Sequence, residues 1–183
     1  MKRSFGLWQL MGFAIVVFCG TILHFLYEWF GDAIWIAPFS GVNESTWEHM
    51  KLLFWPAFVF AIIQYLFFST RESFWFIKLR GILLGIISIP IIYYTYNGVI
   101  GHSPDWINIA IFFVAAAIAF IYETASFNKK PLFVIGEEAS LAILCIIAAT
   151  FILFTFITPH LGIFEDPLTE SYGINTTIIY LLG

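Results

Sequence analysis

The sequence predicts an all-α, polytopic membrane helical bundle of about five transmembrane helices, with the N-terminus inside. Three observations carry this. Of 183 residues, 61% are hydrophobic and only 11% charged, whereas a soluble domain keeps roughly a quarter of its residues charged. Five separate stretches reach the ~20 mainly apolar residues that a helix needs to cross a bilayer. Seven of the eight lysines and arginines then fall on one side of those five spans.

In chain order the spans cover residues 7–29, 46–68, 79–96, 106–125 and 138–158, within a single membrane domain, 1–183. The first follows Met1-Lys2-Arg3, as a signal peptide would, but its apolar run is too long for an h-region and lacks a small-residue cleavage site. It reads as a retained span. The second and third hold Pro56 and Pro90, where helices kink. Gly81 and Gly85 make a small-xxx-small pair that lets helices approach closely. The fourth opens at Trp106, one of several tryptophans (Trp8, Trp29, Trp75) near span ends, where interfacial aromatic belts lie. The fifth starts at Glu138. Residues 159–183 form an outer flap, marked by the turn signals Asp166-Pro167 and Tyr172-Gly173, and an apolar tail too short to cross.

Lys2, Arg3, Arg71, Lys78, Arg80, Lys129 and Lys130 share one side, and only Lys51 lies opposite. The positive-inside rule therefore gives N-in, C-out. A net charge of −4 excludes the basic footprint of a nucleic-acid partner, which leaves membrane lipids as the surroundings. Cys19 and Cys145 sit in apolar runs without a CxxC, as small core residues do.

With this topology the histidines and most carboxylates gather at the outer ends. His24 and Glu28 stand one helical turn apart on the first span. Glu44, Glu48 and His49 open the second, where Ser45-x-x-Glu48 matches a capping box. His102 and Asp105 lie between spans three and four. His160, Glu165, Asp166 and Glu170 follow span five. Ionisable groups inside a span are expensive and face a bundle interior or a wet cavity, so by default they mark function. His24, Glu28, Glu48, His49 and His160 are candidate ligands for a divalent transition metal such as Zn²⁺, which takes nitrogen and oxygen donors. Metal-bound water ionises near neutral pH and attacks esters or amides, with Glu44 or Glu48 as candidate catalytic base. Tyr93, Tyr96, Asn97, His102, Asp105 and Asp166 are candidate cavity or lid residues.

Each of these residues also has a plainer role open to it. Glu48 can be only a capping partner, Lys51 can pair with Glu48, and His24 can be a hydrogen-bonded interior imidazole. Asn43-Glu44-Ser45 and Asn175-Thr176-Thr177 match the glycosylation pattern. On the inner side Glu72, Glu123, Glu137 and Glu138 lie among the basic residues and read as interfacial ion pairs.

HFLYEW at 24–29, VNESTWEHMK at 42–51 and PHLGIFEDP at 159–167 resemble the recurring motifs of a family of small uncharacterised prokaryotic multi-pass membrane proteins. The resemblance covers about half the chain, and its most specific part is the Asn-Glu-Ser-x-Trp-Glu-His string. It implies a prokaryotic plasma-membrane protein whose signature includes Glu44, Trp47, Glu48 and His49, and it implies no activity. A fainter similarity is to the membrane metal hydrolases that include alkaline ceramidases; their HxxxH pair is not found here.

The residues thus point first to a membrane-embedded metal-binding protein, a metal-dependent hydrolase acting at the outer leaflet on a lipid or lipid-linked substrate. A small-solute transporter or binding module could use the same polar cavity. An assembly partner of another membrane protein is a third reading. Two outer histidines could also ligate a b-type haem.

Overall fold

The computed structural model describes residues 2–69, 73–101, 104–127, 129 and 133–174. Five helices account for most of them: α1 (Lys2–Trp29), α2 (Thr46–Phe68), α3 (Phe74–Ile100), α4 (Asp105–Ser126) and α5 (Glu137–Phe156). All five are long and apolar enough to cross a membrane, and no strand occurs among the described residues. The spans read from hydropathy sit inside these helices to within two residues, and α3 runs further at both ends. Hydropathy marks only the apolar stretch, and a helix goes on through flanking polar residues while its backbone bonds continue.

Helices α1 to α4 close into a ring in which each packs on its sequence neighbours and α4 returns to α1; α5 lies outside, against α3 and α2. The most enclosed helix is α2, whose buried residues include Leu53, Phe54, Ala57, Phe60 and Ala61 on more than one face. The core between the two ends is apolar, with Val16, Leu53, Phe54, Ile82, Ala115 and Ala119 all at most 1% exposed.

Small residues set the helix spacing. Pro56 has no N–H, so the Leu52 carbonyl one turn earlier loses its helical donor. That carbonyl meets Gly20 of α1, where a built Cβ would stand 3.0 Å from it and 2.5 Å from the Phe112 ring. Gly85 fits against Ala119 and Leu53 in the same way. Gly81 does something else: it makes room for the side chain of Glu123, whose Cγ would lie 2.4 Å from an added methyl.

This corrects the interfacial reading of Glu123. Its carboxylate is buried in the bundle, accepting from Lys78 Nζ at 2.5 Å and Gln9 Nε2 at 2.7 Å, with Gln64 Nε2 donating to Gln9 Oε1 at 3.4 Å. Four helices thus meet in one polar knot, near the end of the bundle where α1 begins. Glu137 is likewise a cap rather than a surface charge, its Oε2 taking the Trp75 N–H at 2.8 Å. Glu72 lies outside the described residues.

Candidate metal centre

At the opposite end three side chains converge. His24 Nε2 stands 3.4 Å from one oxygen of Glu44, and His49 Nε2 stands 3.6 Å from the other. One ligand atom from each of the three lies within 4.8 Å of the others. Ligand atoms held tetrahedrally at ~2.0–2.1 Å from a zinc ion are about 3.4 Å apart, so the two imidazoles, each now beside its own oxygen of Glu44, would draw inward to share one ion.

Each member is held from behind. His49 sits in the first turn of α2, and its Nδ1 bonds the Ser45 carbonyl at 3.0 Å. A carbonyl can only accept, so Nδ1 carries the proton and Nε2 keeps its lone pair toward Glu44. This is the arrangement that fixes metal-bound imidazoles elsewhere. His24 is placed by the α1–α2 loop. Ser40 Oγ donates to the Leu23 carbonyl and accepts the Tyr27 N–H at 3.0 Å, while Gly41 N–H also bonds Leu23 O at 3.2 Å. The loop is therefore fastened into the helical turn that carries His24.

Glu44 precedes the N-cap Ser45, and its backbone N–H donates to Asp166 Oδ2 at 3.4 Å. Asp166 Oδ1 also takes the Leu168 and Thr169 N–H groups. Asn43 adds a second tie, from Nδ2 to the Gly173 carbonyl, and its Oδ1 takes the Ser45 N–H. The segment after α5 thus folds back as a flap that grips the backbone beside Glu44, with Phe164 of the flap packed on Trp47. The hydrogen bond from His24 holds the Glu44 carboxyl below the usual carboxylate range despite its partial burial. Glu44 is therefore an anion at neutral pH, as a ligand must be.

Two openings flank Glu44. A cleft of about 230 Å³ is lined by His24, Phe25, Tyr27, Glu28, Asp32 and residues 41–44. A narrower crevice runs toward α3 and α4 past Thr46, His49, Ile89, Tyr93, Asn108, Ile111 and Phe112. Glu44 borders both.

The other sequence candidates are distributed as follows. Glu48 points away from the cluster: it pairs with Lys51 Nζ at 2.5 Å and takes the Val42 N–H at 3.1 Å. Ser45 Oγ accepts the Glu48 N–H, which is one half of the capping box; the reciprocal bond is absent, since Ser45 N–H goes to Asn43. Lys51 is fully buried and also donates to Ala37 O and Thr155 Oγ1. Glu28 lines the cleft without joining the three. His160 is exposed and stacks on Tyr172 at 4.6 Å. Tyr93 lines the crevice, whereas Tyr96 and Asn97 do not; Asn97 bonds back to the Tyr93 carbonyl. Asp105 begins α4, and His102 lies outside the described residues, as do the tail 175–183 and Asn175. Sequence reasoning missed Ser40, Gly41, Tyr27 and Asn108. Only Ser40-Gly41 left a trace, as a turn signal after Pro38.

A family model described as a family of unknown function (DUF6512) matches residues 2–174. No curated protein and no solved structure matches the chain.

Proposed function

The chain belongs to that family of unknown function, and from its own residues we propose a membrane-embedded, metal-dependent hydrolase acting at the outer leaflet on a lipid or lipid-linked substrate. The observation that carries the reading is the His24–Glu44–His49 set. Two imidazoles and one carboxylate are the protein ligands of several catalytic zinc sites, which leave a further position open for water or substrate. Here the cleft beside Glu44 would give that water or substrate room. A bound ion would supply a nucleophilic hydroxide and polarise the scissile group. The chain's own part is to hold three donors in register, through the Ser45 carbonyl behind His49, Ser40 behind His24 and Asp166 behind Glu44.

One feature supports a lipid substrate. The loop and flap around the site expose Trp29, Phe30, Trp35, Leu161 and Leu168, each more than half accessible, as segments lying in a bilayer interface do. The close-packed apolar core between the two ends favours this reading over a solute pathway. The positive-inside distribution supports N-in, C-out, and the signature motifs support a prokaryotic plasma membrane.

Elemental analysis of the purified full chain after zinc loading tests the reading. About one zinc per chain is expected, with at least a tenfold loss of affinity in His49→Ala and in Glu44→Ala. No retained metal, or retention unchanged in both variants, removes the basis for the idea. Product release from a lipid panel then separates hydrolysis from transport, for which saturable binding without turnover is the signature.

A further inference from the structure

Glu28 and Asp32 share the 230 Å³ cleft with His24, Tyr27 and Glu44, yet neither carboxylate belongs to the three-residue set. Among the described residues, no lysine or arginine lines this cleft. Acidic residues alone are common on surfaces, but a second feature points to a ligand. Tyr27 is only 6% exposed, and its backbone is tied to the loop, since Ser40 Oγ takes its N–H. Its hydroxyl has no hydrogen-bond partner among the described residues, and it is not among the sealed, unsatisfied polar atoms, so it opens into the cleft it lines. A buried phenol with a free hydroxyl, two carboxylates and the Phe25 ring are together the surroundings that an ammonium group seeks.

We infer that the cleft binds the ammonium end of a zwitterionic phosphoester, as in an aminoalcohol headgroup. The inference rests on the metal reading above. A divalent ion on His24, Glu44 and His49 leaves one net positive charge there, and Glu28 and Asp32 place two negative charges beside it. A positive pole next to a negative pole matches a phosphate next to an ammonium, whereas an anionic headgroup without an amine would meet repulsion at the second pole. His24 and Glu28, one turn apart on α1, set the two poles on the same helix face.

The test uses the zinc-loaded full chain in neutral detergent micelles, with zinc content measured on every sample. Binding of a short-chain phosphatidylethanolamine is compared with phosphatidylglycerol of the same chains, and with water-soluble glycerophosphoethanolamine. At least a fivefold preference for the amine-bearing lipid is expected, shrinking to less than twofold in Glu28→Gln and Asp32→Asn while zinc stays near one per chain. Tyr27→Phe should weaken the amine-bearing lipid severalfold and leave phosphatidylglycerol unchanged. Equal affinity for the soluble compound and the lipid, still dependent on Glu28 and Asp32, supports the ammonium site and makes its source soluble. Zinc bound normally with no preference between headgroups overturns this inference and leaves the metal reading standing. Zinc not bound at all sinks both.

Discussion

At the scale of single residues, Glu44 and Glu48 stand four apart and have different partners. The sequence offers both as carboxylates near two histidines, and hydropathy cannot sort them. What sorts them is Lys51, three residues after Glu48: a buried ammonium needs a carboxylate, and Glu48 is the one on its face of α2. Glu44, with no such claim on it, is left for the imidazoles. Removing one member of the buried pair strands the other. Lys51→Met should therefore cost about 3–5 kcal/mol, and combining it with Glu48→Leu should restore much of the loss. Thermal unfolding in detergent of the two single variants and the double reads this directly; additive losses would mean that the pair is not coupled. Glu44 gives a pH signature. Its folded-state carboxyl is lowered from an ordinary value of 4.5, so its contribution is fully present above that value and lost only as pH falls through the lowered one. In metal-free protein, the stability deficit of Glu44→Gln should be full at about pH 5 and shrink progressively as pH falls below 4.5. A deficit already absent at pH 5 would show that the carboxyl is not lowered.

At the scale of elements, five helices were legible because a spanning helix must be long and apolar, a constraint that few other structures share. The α1–α2 loop and the flap were not, because their shapes come from side chains that bond distant backbone. Ser40 is the clearest case. Nothing in a Pro-Phe-Ser-Gly turn announces that its hydroxyl will join a turn of α1, yet that contact positions His24. Ser40→Ala should lower stability by about 1–2 kcal/mol and weaken zinc binding severalfold, with Ser40→Thr recovering part of both. Unchanged zinc affinity in Ser40→Ala would deny the loop a positioning role. Asp166 acts similarly on the flap. Asp166→Ala should raise amide exchange across residues 158–174 and in the Glu44 N–H, while the exchange of α3 stays as it was. Protection of the flap unchanged by the substitution would show that other contacts hold it.

For the whole molecule, the bundle carries a polar centre at each end, and the two differ in kind. The knot of Gln9, Gln64, Lys78 and Glu123 is closed, with every charged group at most 3% exposed and paired. The set of His24, Glu44 and His49 is open on two sides. Charge counting by sequence position found the histidine cluster at one end and overlooked the knot at the other, since Glu123 and Lys78 sit near span ends where snorkelling to water is the common outcome. Gly81, read only as a packing residue, was the available clue, because a missing side chain on α3 leaves space for one from α4. The knot fastens the four helices whose other ends carry the open site, so its integrity bears on the site only through the bundle.

Anomalous scattering at the zinc edge, on crystals of the zinc-loaded full chain, tests the central claim most directly. The account predicts an ion between His24 Nε2, His49 Nε2 and Glu44, at about 2.0–2.2 Å from each, with Nδ1 of His49 still on the Ser45 carbonyl. An ion seated instead on Glu28 and Asp32 or at Glu123, or none at all at saturating zinc, would contradict it.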